Sequence, residues 1–122
     1  MTILIRSDRI FKLWRATVGH SQLLLRSPKT SILETRVDVY FKPVEALKIR
    51  TTMQGLFVRD ADADESAAVL KDCALVPTEG MNVYVVESKA FRGYVVAGVA
   101  AISEDTREFD EPSALYVGQS GL

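Results

Sequence analysis

The hydrophobic and polar positions of this chain alternate in short runs, and one run breaks the alternation. From Gly93 to Ser103 apolar residues fill odd and even positions alike. Successive side chains of a strand point to opposite faces, so this pattern predicts a strand covered on both sides, the middle of the core. Elsewhere the period is two. From Ile10 to Val18, the residues Ile10, Trp14, Ala16 and Val18 share one side with Lys12 as the exception, while Phe11 and Leu13 give way to Arg15 and Thr17 on the other. Leu23 to Arg26 is a second short strand. Thr35 to Phe41 is a third, with Val37, Val39 and Phe41 inward, Arg36, Asp38 and Tyr40 outward, and Pro43 closing it.

Ala46 to Met53 fits a strand by its alternation and a helix by the preceding Pro43; the Thr51-Thr52 pair favours the strand. Gln54-Gly55 reads as a turn and Leu56 to Arg59 as the returning strand. The composition then changes. Residues 60–73 are rich in helix formers, with acids first and Lys71 late, as the helix dipole prefers. Asp62 three residues before Glu65 has the spacing of a capping box. Asn82 to Ser88 is a further strand, Lys89 to Gly93 a hairpin connection, Thr106 to Pro112 an acidic loop around Phe109, and Ser113 to Val117 a last edge strand. Regularly spaced strands with one short helix predict a mainly β fold, an antiparallel barrel or sandwich of about seven or eight short strands. At 122 residues, residues 1–122 read as a single β-rich domain.

Composition narrows the function classes. The longest uncharged apolar run, 94–102, is half of what a membrane-spanning helix needs, about twenty residues. The first residues lack the pattern of a signal peptide, and Cys73 is the only cysteine, so the expected setting is cytoplasmic, without disulfides or membrane. Net charge is −1, yet residues 1–61 carry eleven Lys/Arg against five Asp/Glu (+6) and residues 62–122 four against eleven (−7). The simplest reading is that strands from the two halves lie side by side and pair their charges.

Candidate chemistry is sparse. Asp60, Asp62 and Asp64 have the 1-3-5 spacing of a calcium loop, but Glu65 and Lys71 stand where that loop needs its glycine and its bidentate glutamate. Cys73 and His20 are single members of their types, too few for a zinc site and with no sign of proximity as a dyad. No glycine-rich phosphate loop, metal set or cofactor signature is present. A single-strand nucleic-acid surface would draw on Arg15, Arg26, Arg36 and Lys48 with Trp14, Tyr40 and Phe41, but a pI near 5.8 and the inward register of Trp14 and Phe41 disfavour it. The carboxylates of the 104–112 loop lie in a solvated setting unsuited to acid–base work and better suited to contacting a basic partner, with Phe109 as the apolar anchor.

The segments Phe11-Lys12-Leu13-Trp14, His20 to Ser27, Gly55-Leu56 and Tyr94 to Ala97 resemble a group of small bacterial proteins with no assigned function. The resemblance carries no mechanistic motif; it implies at most an immunity-type role, as the partner of another protein. The expected function is therefore non-enzymatic binding of another protein. Its first candidates are His20 and Arg26 on the first hairpin and Phe109, Asp110 and Glu111 on the acidic loop. A small-ligand-binding or enzymatic barrel is the alternative, and a nucleic-acid binder the third. A deep pocket of converging polar groups would favour the second reading over the first.

Overall fold

The computed structural model describes residues 2–17, 21–113 and 115. Six antiparallel strands form one closed barrel: β1 (Ile3–Thr17), β2 (Gln22–Ser27), β3 (Arg36–Lys48), β4 (Thr52–Asp60), β5 (Asn82–Ser88) and β6 (Phe91–Asp105). Helix α1 (Ala63–Asp72) joins β4 to β5. The order around the barrel is β1-β2-β3-β6-β5-β4, and β4 pairs back to β1. Full closure leaves the inner faces of all six strands to build one core. Phe11, Leu23, Leu25, Val39, Phe41, Met53, Val58, Val86 and Val95 are among its members. The Phe41 and Tyr84 rings pack in it at 5.6 Å between centroids.

The mainly β barrel expected from the pattern is present, with six strands among the described residues in place of about seven or eight. One strand of the difference arises because three expected strands, at 35–41, 46–53 and 56–59, are two. Pro43 does not end β3, which runs on to Lys48. At this level Lys42 pairs with Val99 and Val44 with Ala97, leaving Pro43 beside Gly98; the Lys42–Pro43 peptide is cis. A Cβ on Gly98 would lie 2.7 Å from the Pro43 ring, so only glycine fits there. Gly55, expected in a turn, lies inside β4 with φ +75°, where Asp8 and Arg9 of β1 together face it as a bulge. Each supposed break is thus an irregularity inside a longer strand. The ambiguous stretch 46–53 contains the end of β3 and the start of β4, joined across the barrel end by residues 49–51.

The strand expected to be covered on both faces is so only in part. Gly93 and Val95–Ala97 of β6 are buried, but Val99 is 60% and Ile102 37% exposed. Past Gly98 the inward position moves by one residue, from Ala97 to Ala100, which turns Val99 outward. The ladder to β5 also stops at Ala97. The expected last edge strand at 113–117 falls mostly outside the described residues.

The helix begins as its sequence predicts. Asp62 accepts the Glu65 backbone N–H at 2.8 Å, and the Glu65 side chain accepts the Asp62 N–H at 3.0 Å, a complete capping box. No residue of α1 is buried, so polar contacts anchor it. Glu65 receives both terminal nitrogens of Arg59 at 2.7 Å and a further contact from Arg92, and Tyr94 donates to Asp72 at 3.0 Å. The Arg59 hydrogen bonds, then the Asp62 backbone N–H, hold the Glu65 carboxyl down at about 2, well below its ordinary 4.5.

Two outcomes follow from this architecture. A Cβ on Gly93 would come within 1.8 Å of the Lys48 carbonyl oxygen on the paired strand. Gly93→Ala is therefore expected to cost about 2–3 kcal/mol of stability in urea denaturation, the upper part of the overpacking range. For Glu65 the folded pKa lies below the unfolded one, so its contribution is present above the unfolded value and is lost as pH falls through the folded one. The stability gap between wild type and Glu65→Gln should be constant above about pH 5 and shrink as pH falls from about 4.5 to about 2. A gap that does not change over that window would remove Glu65 as the anchor.

Candidate binding site

The most unusual chemistry in the molecule is on the outer face of β2 and β3, a face that in a barrel ordinarily meets solvent. Gln22, Leu24 and Arg26 of β2 and Arg36, Asp38 and Tyr40 of β3 are all buried there. Register explains the pairing. Arg26 is directly opposite Asp38 on β3, and Arg36 is directly opposite Asp105 on β6. Arg26 donates to both Asp38 oxygens, at 2.7 and 3.1 Å, and Arg36 to both Asp105 oxygens, at 3.1 and 3.2 Å. Arg36 also lies 4.0 Å from Asp38, so the four charges form one neutral row of alternating sign across three strands. Burial alone would raise the Asp105 carboxyl, but the Arg36 hydrogen bonds and the Arg107 backbone N–H hold it below the usual carboxylate range.

The row is covered by the chain that leaves β6. Arg36 donates to the carbonyls of Glu108 (2.9 Å), Glu111 (2.6 Å) and Pro112 (3.1 Å), and Arg26 to that of Phe109 (2.9 Å). A guanidinium has five N–H groups, and with Asp105 these contacts use all five of Arg36. Lys29 adds the Thr106 carbonyl and the Glu108 carboxylate, and Ser113 is buried at the far end. The arginines thus hold main chain, leaving the loop's side chains to face out. Phe109 is 54% exposed, its inner edge set against Trp14 in a T-shaped contact at 6.4 Å. Trp14 also carries Arg26 over its ring at 5.1 Å. Glu111 closes the turn by accepting the Glu108 N–H, while Asp110 at the tip makes no hydrogen bond or ion pair among the described residues.

Four of the five residues singled out from the sequence therefore meet in one place: Arg26, Phe109, Asp110 and Glu111, beside a cleft of about 190 Å³. His20 lies outside the described residues. Arg26 was expected as an exposed charge and is instead fully buried; as half of the clamp it cannot itself reach a partner. Trp14, expected inward, lies on the outer face, because Phe11 and Leu13 take the inward positions and alternation turns Trp14 outward. On this outer face Tyr40 is buried and Trp14 is half-buried between Arg26 and Phe109. Asp38 and Ser113 are not among the residues the sequence singles out, and Arg36 and Asp105, named there for a nucleic-acid surface and an acidic loop, form an ion pair instead. Their signal was the Arg-Val-Asp-Val alternation of β3, but only the register shows which strands face it.

Charge pairing across the two halves is as the composition suggested. Arg9–Glu104, Lys29–Glu108, Arg36–Asp105, Arg59–Glu65 and Arg59–Glu87 each join a basic residue of the first half to an acidic one of the second. Among the described residues no cluster of histidine, cysteine or carboxylate groups could hold a metal ion. Asp62 is taken up by the helix cap, and Cys73 ends the helix with its thiol donating to the Val69 carbonyl at 3.0 Å. The larger depressions, about 700 and 460 Å³, are open grooves on either side of Arg6-Ser7-Asp8. No protein-family model, curated protein or solved structure matches the chain.

Removing the clamp's centre takes from Asp105 both arginine hydrogen bonds and cuts the carbonyls of Glu108, Glu111 and Pro112 from their donor on the sheet. Arg36→Ala is expected to cost about 3–5 kcal/mol in urea denaturation, and the amides of 106–112 should exchange with solvent faster than those of β5. Unchanged exchange in that segment would show that something other than Arg36 holds it.

Proposed function

We propose that this chain is a non-catalytic binding domain that docks a basic surface of another protein through the loop 106–112. The observation that carries this reading is the clamp: two buried arginines fix the loop by its carbonyls and leave a half-exposed Phe109 beside Asp110, which has no ion pair among the described residues. An aromatic anchor on a rigid backbone loses little conformational entropy on binding, and adjacent carboxylates select a basic counterpart. A cytoplasmic setting and an immunity-type relation to the partner belong to the same reading. Among the described residues no helix is long and apolar enough to cross a membrane.

The test is capture of partners from a native extract by the tagged protein, compared with Phe109→Ala/Asp110→Lys. Both positions are on the exposed side of the loop, so the melting temperature should stay within a few degrees of wild type. Capture of a protein with a basic surface should weaken by about 2 kcal/mol or more, the scale of a lost interface anchor. A partner retained undiminished by the double variant would refute the loop as the contact.

A further inference from the structure

Two strands overrun their neighbours. β1 pairs with β2 only from Lys12 onward, so Ile3 to Phe11 is paired on one side alone, to β4. β6 pairs with β5 only as far as Ala97, so 98–105 is paired on one side alone, to β3. Among the described residues no ladder joins the two overrunning stretches. They border the same groove of about 700 Å³, walled by Ile5, Ser7 and Arg9 of β1, Val37 of β3, and Ile102 and Glu104 of β6. Arg9 closes one end. It donates to the hydroxyls of Ser27 and Thr35 and to the Thr35 carbonyl, and lies 3.9 Å from Glu104.

We propose that this groove binds an extended segment of another polypeptide as an added strand. A strand edge presents a row of N–H and C=O groups, and the partner that matches such a row is another backbone. Few of these groups have other partners among the described residues: the Arg9 N–H takes the Ser7 hydroxyl, and the Gly98 carbonyl takes the Asn82 amide. The side chains fit the same occupant. Ile5, Val37 and Ile102 form an apolar floor for every second residue of a strand, while Arg6 and Asp8 on the outer side of β1 suit polar residues of either sign. Ile5 to Arg9 offers about 14 Å of edge at roughly 3.4 Å per residue. The inference rests on the unpaired β1 edge, which opens on the groove from the side of β2, and is independent of the Phe109 loop.

The probe is a phage-displayed library of random peptides selected on the intact protein, followed by a synthetic peptide of the winning sequence. The expected peptides have apolar residues at alternate positions. Their binding should slow hydrogen exchange of amides in 4–10, survive Phe109→Ala, and weaken about tenfold or more in Ile102→Glu, which sets a carboxylate in the apolar floor. Ile102 is partly exposed, so that variant should fold; the exchange map of the wild type needs no variant at all. Failure to select any peptide, protection confined to other segments, or affinity unchanged by Ile102→Glu would overturn the proposal. So would a dimer of the protein alone that Ile102→Glu abolishes, which would assign the edges to a second copy.

Discussion

The outer face of β2 and β3 depends on one arrangement: Arg26, Asp38, Arg36 and Asp105 in a neutral row, with Arg36 sealed from solvent. Such groups are costly to bury unless every one is paired and hydrogen-bonded. Cross-strand register supplies the ion pairs, but it leaves three Arg36 N–H contacts and one from Arg26 to be met elsewhere. The segment after β6 meets them with carbonyls. Sheet and segment therefore need each other: without the segment the arginines would be exposed or unsatisfied, and without the arginines the segment would have little reason to lie there. A hydrophobic patch could bury the same area with less risk. What the charged row adds is direction, because each carbonyl must meet a particular N–H, and this fixes the path of the loop.

The legible parts of the fold were those governed by local chemistry. Alternation of Val37, Val39 and Phe41 set the inward face of β3, Asn82 to Ser88 matches β5 at both ends, and Asp62 with Glu65 marked the helix start. The illegible parts depended on a neighbour. Pro43 reads as a terminator until Gly98 is seen beside its ring, and Gly55 reads as a turn until Asp8 and Arg9 are seen bulging across from it. The site divides in the same way. The acidic, aromatic character of 106–112 was visible, and so was the charge excess of each half. The burial of Arg26 was not, because alternation assigns a face and cannot show what covers it.

The barrel's unequal strands give its surface two characters. β1 and β6 have fifteen residues each, against six in β2 and seven in β5, so the long strands must outrun the short ones. At the end of β6 the surplus leads into the clamped loop, and the β2–β3 face is closed. Along the first part of β1 no described strand pairs on the side of β2, and the edge opens on the groove. The bulge opposite Gly55 lies in that open stretch, and bulges of this kind twist an edge away from indiscriminate pairing. Together with the Arg9 bridge it limits what the edge can accept without pairing it fully.

The clamp also bears on how the loop can present different side chains. Arg26 and Arg36 touch only the carbonyls of 108, 109, 111 and 112, groups that every residue has. Substitutions on the outward side of the loop leave those contacts unchanged, so the surface offered there can alter while its backbone stays in place. Among the described residues, Ser113, buried at the end of the loop, Phe109, whose ring meets Trp14, and Glu108, paired with Lys29, tie side chains to the barrel. A scaffold that holds a loop by main chain separates the requirements of folding from those of recognition. That separation is what a domain that acts through contact, without chemistry of its own, would need.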